Sequence, residues 1–326
     1  MNNKNPANRG TRSVQPWSEI AVRVNRSSVS QSARMFLFAV IILIPAVVWS
    51  ADPLVLQSDF GVKDSAVASM KGVAVSVSRD LDIYDLTHEV PTYNIWEASL
   101  RLAQAAEYWP QGTVFVSVVD PGVGTERKSV VLKTKSGHYF VSPDNGSLTA
   151  VAEQLGVEAV REIDEATNRL ANSEKSYTFH GRDVYAYTGA RLAAGVISFM
   201  EVGRELPAEV LSIPYQKPCV DQGRVYGNIE ILDPQFGNIW TNIDRETFKT
   251  LELKPGDKVS IEISNDDNIV LTQTLPYFLT FGRVPVGKPL LYLNSVNKVA
   301  LAINQGNYSK TFGIRSGASW NIRIEK

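Results

Sequence analysis

A chain of 326 residues with 44% hydrophobic content can bury a substantial core and has room for two domains. Its formal net charge of −1 excludes a surface built to hold a nucleic-acid backbone or an anionic membrane. Cys219 is the single cysteine, which excludes an internal disulfide and any cysteine-based zinc site.

Residues 1–31 are rich in Asn, Ser, Arg and Gln and lack apolar periodicity, so disorder is expected there. Arg34 then precedes an unbroken apolar run from Met35 to Trp49, closed by the small residues Ser50 and Ala51. A positive flank, a short apolar stretch and a small-residue exit are the parts of a secretory signal. The run is shorter than the roughly 20 residues a bilayer usually asks for. The competing expectation is an uncleaved membrane anchor through residues 35–49. Either way the protein is expected to be exported, periplasmic or extracellular, or held at a membrane, and residues 1–51 stand outside the fold.

From Leu54 to about Ile213, short apolar runs alternate with helical stretches. Leu54–Leu56 reads as a strand entering the turn Ser58-Asp59-Phe60-Gly61. Asp64–Val77 reads as a helix and Ile83–Asp85 as a strand. Trp96–Tyr108 places Leu100, Ala103 and Ala106 near helical spacing, and Pro110-Gln-Gly112 stops it. The β-branched run Thr113–Val119 predicts a strand buried on both faces. Val130–Leu132 and Tyr139–Val141 are shorter strands, Ser147 is placed to cap a helix reaching Leu155, and Asp183–Ala194 is a further helix. This alternation predicts an α/β domain, residues 52–214, with a largely parallel central sheet. Beyond Pro214 the runs Arg224–Leu232, Ile239–Ile243, Lys258–Ser264, Ile269–Leu275, Leu290–Leu293, Val299–Ile303 and Trp320–Ile324 follow without a long helix. Many short strands separated by turns predict a small C-terminal β-barrel, residues 215–326.

Polar residues and glycines gather where strands end, which is where α/β folds place ligands. Taken singly each segment has a plain structural explanation. Asp59 could serve a turn, Asp120-Pro-Gly is ordinary turn chemistry, and a lone His180 is more often structural than catalytic. No Walker lysine follows Gly122 and Gly124, which argues against a nucleoside triphosphate loop.

The ordered set is more specific than its members. Asp59-Phe-Gly, Lys71-Gly72, Asp85-Leu-Thr-His88, Asp120-Pro-Gly-Val-Gly-Thr-Glu-Arg127, Pro143-Asp-Asn-Gly146, Phe179-His-Gly-Arg-Asp183, Phe236-Gly-Asn238 and Asn304-Gln-Gly-Asn307 occur in sequence. Together they resemble the S-adenosyl-L-methionine hydroxide adenosyltransferase family, relatives of the fluorinating and chlorinating enzymes that use the same substrate. The resemblance covers Leu54 to Glu325. It implies an α/β domain joined to a β-barrel, and a homotrimer whose active sites lie between one subunit's first domain and its neighbour's barrel. It places the catalytic trio on Asp120, Arg127 and His180, and the ribose-binding carboxylate on Asp59. Tyr93 and Phe179 fall in the adenosyl pocket. Asp233, Phe236 and Asn238 fall on barrel positions contacting the methionine amine and adenine, Ser295 on a methionine contact, and Gln305 on an adenine-contacting backbone position. Three departures stand out. Val296 occupies the place of an arginine that holds the substrate carboxylate in the halogenating relatives, the tyrosine those relatives carry at the Asp120 position is missing, and Gly181 stands in place of their halide-site serine.

The residue types suit the reaction. A sulfonium leaves as a neutral thioether, so no general acid is needed, whereas water must be aligned and must lose a proton. His180 suits the role of base because imidazole titrates near neutrality. Asp120 can orient the water or the imidazole, while Arg127 stays charged, stabilises developing hydroxide and holds Asp120. Asp59 offers two acceptors to the two adjacent hydroxyls of a ribose. His88 is expected to brace the fold and His138 to be exposed. Trp240, Tyr292 and Trp320 are expected in the barrel core, and no cofactor or metal is expected. The alternatives are a halogenating enzyme of the same family, disfavoured by Gly181, and an exported protein that binds an adenosyl compound without turning it over.

Overall fold

A computed structural model of the protein describes residues 51–326, which belong to one compact unit. The expectations for residues 1–50, including a signal or anchor at 35–49, lie outside the described residues.

In chain order the first part contains β1 (Leu54–Ser58), α1 (Ala66–Val77), β2 (Ile83–Thr87), α2 (Ile95–Ala106), β3 (Val114–Val118), β4 (Ser129–Thr134), β5 (Tyr139–Pro143), α3 (Thr149–Leu155) and β6 (Val157–Glu162). A π-helical turn (Gly181–Ala186) then runs directly into α4 (Tyr187–Ala193), and the two-residue β7 (Glu205–Leu206) closes the sheet. The strand order is β2-β1-β3-β5-β4-β6-β7. β1 and β3 are buried along their whole length, as their apolar runs predict. Side chains alternate between the faces. Leu54, Leu56, Val114 and Val116 pack with Met70 and Ala74 of α1 and Ala190 of α4, whereas Val55 and Phe115 pack with Trp96, Leu100 and Ala103 of α2.

The topology sets the site. From β1 the chain passes through α1 to β2 on one side, then returns through α2 across β1 to β3 on the other. The loops leaving β1 and β3 therefore diverge, and a crevice opens between their carboxyl ends.

Eight further strands follow: β8 (Cys219–Asp221), β9 (Arg224–Leu232), β10 (Ile239–Asp244), β11 (Lys258–Asn265), β12 (Asn268–Pro276), β13 (Pro289–Leu293), β14 (Lys298–Ile303) and β15 (Trp320–Glu325). They pair antiparallel in the order β12-β11-β15-β9-β10-β14-β13, with β8 beside β9. A bridge between Tyr277 and Leu291 draws the two ends of the path together into a nearly closed barrel. Val225, Ile229, Val259, Ile261, Leu301 and Ile322 fill its interior. Trp320 lies in that core and Tyr292 is buried in a smaller cluster against Trp240. The barrel meets the α/β part through α2. The buried Glu97 pairs with Arg101 and accepts from Ser316 Oγ at 2.8 Å, and Arg101 Nη2 donates to the Leu232 carbonyl at 3.3 Å.

Several local expectations change. The sheet is parallel only through β2, β1, β3 and β5; β4, β6 and β7 extend it antiparallel, so it is mixed. Ser147 does not cap α3. Its hydroxyl donates to the Pro143 carbonyl at 3.1 Å and bonds Ser142 at 2.8 Å, and the cap position belongs to Leu148. His138 is buried, with Nε2 at 3.0 Å from the Trp109 carbonyl and Nδ1 at 2.9 Å from Ser136 Oγ. The helix expected from Asp183 begins two residues earlier, as the π turn.

Candidate active site

The crevice carries Asp59 directly after β1 and Asp120 shortly after β3. Between Asp120 and Arg127 the chain makes a tight double turn, in which Val123 N donates to the Asp120 carbonyl at 3.3 Å and Thr125 N to that of Gly122 at 3.1 Å. This turn returns the Arg127 guanidinium onto the Asp120 carboxylate. Nε lies 2.9 Å from Oδ1 and 3.1 Å from Oδ2, and Nη2 lies 2.5 Å from Oδ2. Nη1 donates to Ser129 Oγ at 3.0 Å, and Nη2 also donates to His180 Nδ1 at 3.1 Å. The Asp120 and Arg127 side chains are only 5% and 10% exposed, so the pair sits where water screens it little.

His180 immediately precedes the π turn, and at its entry the amides of both Arg182 and Asp183 are directed at the Phe179 carbonyl at 3.1 Å. π turns frequently mark functional sites because the extra residue re-aims its neighbours. Here the imidazole is aimed at Arg127. Burial holds its pKa below the ordinary histidine value; the fields of Arg127 and Arg169 act the same way, against an upward pull from Glu165. Accepting from Arg127 requires a lone pair on Nδ1, so the neutral ring carries its proton on Nε2. That nitrogen has no hydrogen-bond partner among the described residues.

Behind Arg127, Ser129 Oγ meets the Tyr185 hydroxyl at 3.1 Å, and the guanidinium lies 5.6 Å from the Tyr185 ring centroid. Burial pushes the Tyr185 phenol far above its usual range, so it remains neutral. Motif reasoning missed both residues. Ser129 follows Arg127 by two positions, which is a signal of a shared strand face, but nothing local marks Tyr185.

A cleft of about 230 Å³ opens in front of the trio, walled by Asp59, Phe60, Tyr93, Asp120, His180 and Gly181. Asp59 Oδ2 accepts from the Tyr93 amide at 2.9 Å, while Tyr93 takes a left-handed φ of 63° and is 70% exposed. Phe179 supports the wall from behind, edge-on to Phe60 at 5.8 Å between centroids and under the Arg182 guanidinium at 4.8 Å. A Cβ at Gly181 would lie 3.1 Å from the Phe60 ring and 3.3 Å from Val118 Cγ1. The glycine thus permits the close approach of the π turn to Phe60.

The barrel residues lie elsewhere. Phe236, Asn238 and Gln305, with Phe281 and Asn304, line a second cavity of about 620 Å³ that shares no lining residue with the first. Asp233 lines neither. Its Oδ1 accepts from the amides of Gln235 at 3.1 Å and Phe236 at 3.2 Å, and so shapes the turn that presents Phe236. Ser295 is exposed in a turn organised by Asn294 Oδ1, which accepts from the amides of Val296 at 3.1 Å and Lys298 at 2.9 Å. Among the described residues no group of three or more His, Cys, Asp or Glu is placed to hold a metal ion.

Residues 54–203 match the model of the SAM hydroxide adenosyltransferase N-terminal domain, and residues 227–321 that of the C-terminal domain. An (R)-S-adenosyl-L-methionine hydrolase of Methanocaldococcus jannaschii is 40% identical over 220 residues, covering 65% of this chain and 76% of the relative. A fluorinase of Actinopolyspora mzabensis is 29% identical over 299 residues, covering 84% of this chain and 98% of the relative. A crystal structure of an uncharacterized conserved protein from Thermotoga maritima superposes with a TM-score of 0.74 at 35% identity, covering 84% of this chain and all of that one. With both domain models matched in order across most of its length, the chain belongs to the SAM hydroxide adenosyltransferase family.

Proposed function

We propose that this protein hydrolyses S-adenosyl-L-methionine to adenosine and L-methionine. The observation that carries the reading is a cleft walled by Asp59, Asp120 and His180, with Arg127 behind it bonded to both Asp120 and His180. Water attacks C5′, the C5′–O bond forms, and the C5′–S bond breaks with its electron pair passing to sulfur. The sulfonium thereby becomes a neutral thioether, and one proton of the attacking water must be removed.

The hydrogen-bond directions support a division of labour different from a simple histidine base. His180 accepts at Nδ1 from Arg127, so it presents an Nε2–H donor to the cleft. The Asp120 carboxylate presents acceptor lone pairs there. A water receiving from His180 Nε2–H and donating to Asp120 keeps one lone pair for C5′, and its proton passes to Asp120. Holding a nucleophile in near-attack geometry is worth several powers of ten in rate. Arg127 locks both partners and offsets the Asp120 charge; Asp59 binds the ribose hydroxyls.

Three further parts belong to this proposal. The active enzyme is a homotrimer in which the α/β cleft of one subunit faces the barrel cavity of its neighbour. The separation of the two residue sets into different cavities, with Tyr93 and Phe236 70% and 63% exposed, favours an assembled site. The chain divides functionally at 214/215. It is exported or anchored through residues 35–49, on the strength of that apolar run alone.

The halogenating alternative is disfavoured by Gly181, since a serine there would press on Phe60 and Val118. The test is to incubate the full chain with S-adenosyl-L-methionine, with and without fluoride or chloride, and identify products by mass spectrometry. Adenosine and methionine are expected under every condition. Tight binding with no product after long incubation would refute the hydrolase reading.

A further inference from the structure

The Lys71-Gly72 and Asp85-Leu-Thr-His88 motifs have no part in the trio, yet the fold brings them to the base of Asp59. Ser58, the last residue of β1, is fully buried and places Oγ 2.7 Å from His88 Nδ1. His88, 3% exposed, places Nε2 3.0 Å from Asp85 Oδ1. Lys71 of α1 donates to Asp85 Oδ2 at 2.6 Å. Register explains how His88 arrives. β1 and β2 pair Leu56 with Asp85 but Gln57 with Thr87, so the chain bulges at Leu86 and gains the residue that carries His88 to the strand end.

The Lys71 ammonium and His88 Nε2–H both donate to the Asp85 carboxylate, and in the neutral imidazole Nδ1 then carries the lone pair. Ser58 O–H donates to that lone pair, and Ser58 Oγ accepts from the Phe60 amide at 3.3 Å. The residues on both sides of Asp59 are thereby tied to one buried imidazole. Two backbone bonds complete the clamp, from Gly61 N to the His88 carbonyl at 2.7 Å and from Val90 N to the Ser58 carbonyl at 3.4 Å. The order Ser–His–Asp is that of a hydrolase triad, but Ser58 has no exposed surface and cannot meet a substrate as nucleophile. Burial works to raise the Asp85 carboxyl, and hydrogen bonds from Lys71 and His88 outweigh it, holding Asp85 below its usual value and the relay's outer end ionised.

We infer that Lys71, Asp85, His88 and Ser58 form a positioning relay that fixes the Asp59 carboxylate against the ribose diol and so sets selectivity for ribo- over 2′-deoxyribonucleosides. This rests on the proposed role of Asp59 as the ribose ligand. A carboxylate with one oxygen held by the Tyr93 amide can reach both hydroxyls only if its backbone is fixed. A deoxy ligand, offering one hydroxyl, depends on that fixation less.

The test uses the full chain and calorimetric binding of adenosine and 2′-deoxyadenosine, a readout that does not require turnover. The wild type should prefer adenosine, and Asp59→Ala should abolish the preference. Ser58→Ala should reduce it about tenfold, the scale of one hydrogen bond to a charged group. Lys71→Met, at the exposed end, should reduce it about two- to threefold. A merely structural role would lower the melting temperature and weaken both ligands alike, leaving the ratio unchanged. A folded Ser58→Ala with the wild-type ratio, in a background where Asp59→Ala loses it, overturns the relay alone. If Ser58→Ala does not fold, unchanged ratios in both Lys71→Met and Asp85→Asn overturn it. A wild type without preference defeats the ribose role of Asp59, and the relay with it.

Discussion

Replacing Arg127 by lysine keeps the charge and removes the geometry, which separates the two contributions. The guanidinium spends Nε and Nη2 on Asp120, Nη1 on Ser129 and Nη2 again on His180. An ammonium carries its three donors on one nitrogen; from this position it can satisfy Asp120 but cannot also reach Ser129 and His180 in the directions a planar fork provides. His180 then loses the donor that fixes its tautomer, and Ser129 loses its charged partner. Two hydrogen bonds involving a charged group, at about 1.5 kcal/mol each, amount to about 3 kcal/mol. At about 1.4 kcal/mol per tenfold this is a fall in kcat on the order of 10². KM should change little, because Arg127 stands behind the cleft and does not line it. The assay is steady-state release of adenosine from S-adenosyl-L-methionine at neutral pH. A lysine variant retaining kcat within threefold of wild type would refute the argument that direction, not charge, is what Arg127 contributes.

Asp120→Asn removes the proton acceptor while preserving shape, and kcat should fall by about 10²–10⁴ with substrate affinity retained, measured by single turnover against calorimetric binding. The pH profile follows from His180. Its pKa is held below the ordinary value, and protonation at Nδ1 would set an N–H against the Arg127 donor, so activity needs the neutral ring. The acid limb of kcat should therefore lie below 6.5, with no histidine-dependent loss between pH 8 and that value; a limb at or above 6.5 contradicts the assigned environment. Gly181→Ser should reduce hydrolysis about tenfold, as Phe60 and Val118 give way to the new side chain, and should yield no 5′-halogenated adenosine with fluoride or chloride by mass spectrometry.

Much of the architecture was legible along the chain because strand burial is a local, periodic signal. The runs at Leu54–Leu56 and Thr113–Val119 announce two-faced burial, and the barrel strands from Arg224 to Ile324 sit close to their sequence positions. The mixed sheet was harder to foresee, since β4 and β5 look alike in sequence whether their pairing is parallel or antiparallel. The burial of His138 was hidden for a related reason: its partners include the Trp109 carbonyl, 29 residues away, which no local pattern reveals.

The sequence by itself determined which chemical groups are present and in what order: Asp59, then Asp120 and Arg127, then His180, each beside glycines or turn residues at the end of an element. Only the tertiary structure decided what each group faces. The bond from Arg127 to His180 spans 53 residues and that from Ser129 to Tyr185 spans 56, and these contacts, with the π turn that aims the imidazole, settle which nitrogen carries a proton. Hydrogen-bond direction depends on where donors and acceptors meet in space, and a linear order of residues carries no such information until the crevice between β1 and β3 brings them together.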